Sequence, residues 1–172
     1  MAKSRDFIYK EVLDINGHKL GYIKDIIVDF GKKKVLGFKI NSYKLLKKEY
    51  VIFIENIIYS KTKIIVKNMD EGDYLEFSYI LNMHVIDKYF NVLGLVSEII
   101  FDESTYDIKA IFIKDYSFFK GFKNRRVLLV DDLIIGEKYI LYESENKSIK
   151  MECIPSLDKS VYQKRNIYYE KD

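Results

Sequence analysis

The stretch GHKLGYIKDIIVDFGKKKVLGFKI, residues 17–40, returns as FNVLGLVSEIIFDESTYDIKAIFI, residues 90–113. At an offset of 73, Val12 meets Val85, Asp14 meets Asp87, Leu20-Gly21 meets Leu93-Gly94, Ile26-Ile27 meets Ile99-Ile100, Asp29 meets Asp102, Ile40 meets Ile113 and Tyr43 meets Tyr116. That is nine identities in the 37 columns from Phe7 to Tyr43, and eight other columns exchange one apolar residue for another. Beyond Tyr43 the offset becomes 76, because the second copy carries a longer loop; VIFIENII (51–58) then meets VLLVDDLI (127–134), and KIIV (63–66) meets YILY (139–142). A period this long is not that of a solenoid. It predicts two tandem copies of one small domain, residues 1–70 and 79–143, joined by a short acidic linker at 71–78 and followed by a tail at 144–172.

Each copy divides into short strands. FIYKEVLDI reads as a strand ending at the turn signal Asn16-Gly17, which tolerates positive φ. KLGYIKDIIVDF is long for one strand, and Gly21 inside it marks a bend. VLGFKI alternates, and YVIFI, NIIY and KIIVK complete the set. About six short strands per copy bury their apolar faces most economically by curling into a small barrel, which also removes exposed edges. Composition agrees. Tyr (15) and Phe (11) are abundant, alanine occurs only at Ala2 and Ala110, and the single proline is Pro155. The predicted fold is therefore all-β: two tandem small β-barrels with a partly helical or disordered C-terminal tail.

The run Val12, Asp14, Gly17, Leu20-Gly21, Ile23, Asp25, Ile26-Ile27, Asp29, followed by a turn and an alternating strand, resembles the PRC-barrel domain, named after the H subunit of the photosynthetic reaction centre. The second copy departs from that pattern where Phe90 replaces the turn glycine and Glu98 stands for Asp25. The resemblance spans residues 6–68 and 79–143. It implies an adaptor module: such domains occur in the reaction-centre subunit, in a ribosome-maturation factor that binds a small-subunit ribosomal protein, and in short stand-alone bacterial proteins. It implies no shared catalytic residues, and a shared fold does not by itself transmit function.

The residues themselves carry little chemistry. Cys153 is the only cysteine, which excludes an internal disulfide and a cysteine-built zinc site and fits a reducing cytoplasm. The two histidines, His18 and His84, stand in no metal-ligand spacing. The acids Asp25, Asp29, Glu98 and Asp102 recur at equivalent places and suit either acid–base or calcium chemistry. A structural role suits them better, because Asp before a turn accepts backbone hydrogen bonds. Asp14, Gly17, Gly21, Asp29, Asp87, Gly94 and Asp102 are accordingly read as turn and bend residues. There is no phosphate loop, no nucleophile elbow and no Cys/His pair with a base. The expectation is a protein that is not an enzyme and needs no cofactor or metal.

Binding features remain. Residues 1–70 hold 15 Lys and Arg against 8 Asp and Glu, a net +7; residues 71–143 hold 8 against 13, a net −5; the tail is close to neutral. Oppositely charged copies attract each other, within one chain or between two. The longer loop YSFFKGFKNRRV interleaves Phe118, Phe119 and Phe122 with Lys120, Lys123, Arg125 and Arg126, the mixture that single strands or acidic grooves require. YKLLKKEY (43–50) echoes it weakly in the first copy, and Ser160 to Tyr169 has a faintly amphipathic pattern. No apolar run reaches the length of a membrane span. The leading expectation is a cytoplasmic adaptor with an unidentified protein partner. The alternative is an RNA- or ribosome-associated factor using the basic first copy and the Phe118–Arg126 loop.

Overall fold

The computed structural model describes residues 1–43, 49–59, 61–114, 125–143 and 149–150. The first copy contributes β2 (Glu11–Asp14), β3 (Lys19–Asp29), β4 (Lys34–Ser42), β5 (Tyr50–Phe53), β6 (Ile57–Tyr59) and β7 (Ile64–Val66). The second contributes β8 (His84–Asp87), β9 (Val92–Phe101), β10 (Ile108–Lys114), β11 (Arg125–Leu129), β12 (Leu133–Ile135) and β13 (Tyr139–Tyr142). Two short strands, β1 (Ala2–Lys3) and β14 (Ile149–Lys150), flank them. The six-stranded sheet of the first copy runs β5-β4-β3-β2-β7-β6; the second repeats this order as β11-β10-β9-β8-β13-β12. Each sheet curls on itself, and all but one of the pairings within each copy are antiparallel. The exceptions, β2 with β7 and β8 with β13, are parallel and bring the last strand back beside the first.

The register repeats as faithfully as the order. Ile27↔Gly37, Ile26↔Phe38 and Asp25↔Lys39 recur as Ile100↔Ala110, Ile99↔Ile111 and Glu98↔Phe112, with bulges at the same places. The positive-φ positions of the first copy recur too: Tyr9 and Asn82, Lys33 and Tyr106, Gly17 and Phe90. The second turn therefore keeps the geometry of the first although Phe90 (φ 63) replaces the glycine. Gly21 and Gly94 mark an equivalent place where two strands approach closely. An added Cβ would lie 2.1 Å from the Asn41 carbonyl oxygen in one copy and 2.6 Å from that of Lys114 in the other.

The stretch FIYKEVLDI is only partly a strand. Ser4–Asp6 forms a 3-10 turn, Tyr9 is left-handed, and pairing begins at Glu11. Its counterpart Phe77–Tyr79 is also a 3-10 turn, so the stretch read as a linker already belongs at its end to the second copy.

The two copies exchange arms. β1 pairs with β9, Ala2 opposite Phe101 and Lys3 opposite Ile100. Leu75 and Glu76 return the same contact to β3: the Val28 N–H donates to the Leu75 carbonyl, and Ile27 bridges Glu76. At the centre, the Val35 N–H donates to the Tyr106 carbonyl (2.9 Å) and the Ile108 N–H to the Lys33 carbonyl (2.7 Å). Reciprocal contacts of this kind define a two-fold relation, here between two halves of one chain. A single apolar cluster runs through both copies. Phe7 joins the two halves of it, stacked 5.0 Å from Phe38 of its own copy and tilted against Phe101 of the other at 5.4 Å.

The charge asymmetry is used along this seam. Among the described residues, Arg5–Glu98 (3.4 Å), Lys33–Asp131 (2.5 Å), Lys34–Asp107 (3.0 Å) and Lys39–Glu76 (2.6 Å) cross between the copies, each with its cation on the first. The Lys39 ammonium is buried. Burial works to lower its pKa, but hydrogen bonds to Glu49 and Glu76 outweigh that and hold it above the ordinary lysine range. At the equivalent place in the other copy, Lys3 lies over the Phe112 ring, 5.6 Å from its centroid. One position thus carries an ion pair in one copy and a cation–π contact in the other.

Candidate functional site

The recurring acids hold backbone. Asp14 accepts from the N–H groups of Asn16 and His18 (both 2.8 Å) and lies 2.9 Å from the His18 ring nitrogen Nδ1; Asp87 accepts from the N–H groups of Tyr89 and Asn91 and from the Asn91 amide. The His18 side chain and the Asn91 amide are the leading causes that hold these two carboxyls below their ordinary pKa. Asp29 accepts from the Lys32 N–H (2.9 Å), and Asp102 from those of Ser104 and Thr105. The Thr105 and Ser104 amides likewise lower the Asp102 pKa. These are Asx-type turns. His84 opens β8, opposite Leu95.

The other acid pair does something the sequence did not disclose. Asp25 and Glu98 are 6% and 4% exposed. Asp25 accepts from the Ser78 N–H (3.3 Å), at the 3-10 turn of the second copy. Glu98 accepts from the Arg5 N–H (3.3 Å), at the 3-10 turn of the first. Each carboxylate therefore satisfies an otherwise orphaned amide of the opposite copy, and the substitution of Glu for Asp is absorbed by the extra contact to the Arg5 guanidinium. The acids line a cleft of about 310 Å³ on the two-fold seam, together with Arg5, Lys24, Ser78 and Arg125. Most of its lining comes in equivalent pairs, which is the consequence of its position on the seam.

Of the loop singled out for binding, Phe118, Phe119, Lys120, Phe122 and Lys123 lie outside the described residues, as do Lys44–Lys48, Cys153 and the Ser160–Tyr169 stretch. Arg125 and Arg126 open β11, opposite Lys114 and Ile113, and Arg126 also pairs with Lys150 of β14. Arg125 reaches the cleft.

Two groups of exposed aromatics were not anticipated. At the β8–β9 turn, Tyr89 and Phe90 are 72% and 76% exposed. On the outer side of the first copy, Tyr9, Tyr22 and Tyr43 form a row with ring centroids 5.9 and 6.0 Å apart. Three tyrosines at such separations along the chain show no period, so only the fold assembles them.

Among the described residues no three His, Cys, Asp or Glu side chains gather to hold a metal, and no helix is long and apolar enough to cross a membrane. No curated protein matches the chain. Residues 1–73 match the PRC-barrel domain family. The sheet order and register of those residues are repeated in the second half, so the chain is a tandem protein whose first 73 residues are similar to the PRC-barrel domain.

Proposed function

We propose that the chain is a non-enzymatic adaptor of the cytoplasm that presents protein-binding surfaces on two PRC-like barrels. The Phe90 turn carries this reading. A bulky side chain at φ 63 is strained, yet it is 76% exposed and packs into no core. Asp87 fixes the turn through three hydrogen bonds, so Tyr89 and Phe90 are displayed in a set geometry. Rigid, exposed aromatics lose little entropy on docking, which is the character of an interface anchor. The recurring acids support the same reading, because each is engaged in holding turns or the seam rather than left to act on a substrate.

The test is a tagged capture from lysate with and without ribonuclease, comparing the wild-type chain with Phe90→Gly. The adaptor reading requires a discrete protein that survives ribonuclease and is lost with Phe90→Gly. Capture unaffected by Phe90→Gly removes its support. The alternative, an RNA- or ribosome-associated factor, is favoured by one observation: Arg125 joins Arg5 and Lys24 around the seam cleft at the foot of the Phe118–Arg126 loop. Capture abolished by ribonuclease and by Arg125→Ala/Arg126→Ala would move that reading ahead.

A further inference from the structure

We propose that the Tyr9–Tyr22–Tyr43 row on the first copy is a stacking surface for single-stranded nucleic acid. The row is built. Tyr9 is held in the left-handed region (φ 68) by its N–H bond to the Ile23 carbonyl (2.9 Å), which turns its ring toward Tyr22. Tyr22 is fixed by the Asn41 amide, which donates to its hydroxyl at 2.5 Å. Tyr43 continues the line from the end of β4. The outer rings are 77% and 55% exposed, so their faces are open to a ligand rather than spent on the core.

The surroundings are cationic. Glu11, opposite Tyr22 across β2 and β3, is held by two ammoniums, Lys19 at 2.7 Å and Lys63 at 3.0 Å, so this cluster keeps a net positive charge. The Lys10 ammonium lies over the Phe7 ring rather than in this cluster, but the first copy as a whole carries the excess of lysine. Every base offers a π-face, and its phosphate needs a nearby cation; successive exposed rings flanked by lysines meet both needs without reading sequence. The second copy lacks the row, having Asn82 and Leu95 where the first has Tyr9 and Tyr22. The surface thus belongs to one half of the pseudo-symmetric molecule and goes beyond the adaptor reading.

That difference supplies the test. Tyr9→Asn/Tyr22→Leu installs residues that the same fold already accommodates at the equivalent positions. Binding of fluorescein-labelled oligouridylate and oligothymidylate by the full chain is followed by anisotropy at low and moderate salt. The expected result is binding that weakens with salt, falls on the order of tenfold or more in Tyr9→Asn/Tyr22→Leu, and is retained in Tyr9→Phe/Tyr22→Phe. The ratio of the two affinities distinguishes RNA from DNA. The proposal is overturned if neither strand binds at low salt, if a duplex of the same length binds as tightly, or if Tyr9→Asn/Tyr22→Leu leaves binding unchanged while retaining the wild-type melting temperature. A protein captured through these tyrosines with no oligonucleotide bound overturns it equally.

Discussion

Lys34 and Asp107 are the same position in the two copies, and they meet each other: the Lys34 ammonium lies 3.0 Å from the Asp107 carboxylate, and their backbones form a bridge. In a dimer of identical barrels this position would face itself and could not be complementary in charge. Joined in one chain, the two sites have opposite signs.

Asp107→Lys should lower the melting temperature, because it places two ammoniums together on the seam. Lys34→Asp/Asp107→Lys should restore most of the loss. A double-mutant cycle of melting temperatures checks the coupling directly.

The same pair makes a prediction about acid. The Thr105 hydroxyl, then Lys34 and Lys109, hold the Asp107 pKa at about 2, below its ordinary 3.8. A depressed carboxyl contributes stability that is fully present above the unfolded pKa and is lost as pH falls through the folded value. The difference in melting temperature between wild type and Asp107→Asn should therefore be constant near neutrality and close between about pH 4 and 2. A difference that persists at the acid end would show that the ionised carboxylate is not its source.

Phe7→Ala should cost about 3–5 kcal/mol, as expected for removing a fully packed ring. Since Phe7 joins Phe38 to Phe101, the loss falls on both copies together. Calorimetry should show one unfolding transition before and after the substitution; two separated transitions would mean the copies fold independently.

Phe90→Gly should stabilise the chain by about 1 kcal/mol by removing a left-handed bulky residue, since Gly17 already fills the same turn in the first copy. The gain in urea midpoint should come with loss of the captured partner. Such opposition between stability and binding is what a strained functional residue produces.

Gly21→Ala and Gly94→Ala should each destabilise by about 3 kcal/mol or more, because the added methyl meets a carbonyl oxygen of the neighbouring strand. Loss of the cooperative transition in both variants, with Gly17→Ala milder, would be the expected pattern; Gly17 has open space around its Cα.

Sequence and structure agree most closely where information is local. The offset of 73, changing to 76, is reproduced in the pairing of β4 with β5 against β10 with β11. Asp14 and Asp102 accept N–H groups two and three residues further on, a local arrangement. What was not legible is non-local. Nothing near Asp25 or Glu98 announces a partner amide more than 50 residues away. The 3-10 turns at Ser4–Asp6 and Phe77–Tyr79 are too short to leave a period in the sequence. The tyrosine row likewise depends on β3 and β4 pairing in register and on a left-handed Tyr9.

The exchanged arms also impose a sequence of events on a chain being synthesised. The edge of β3 can be covered as soon as Leu75 and Glu76 have emerged, just behind the first copy. Ala2 and Lys3, made well before them, have no strand to join until Ile100 and Phe101 appear. An arm that precedes the first copy is thus fastened later than the arm that follows it, and its fastening closes the second copy rather than its own.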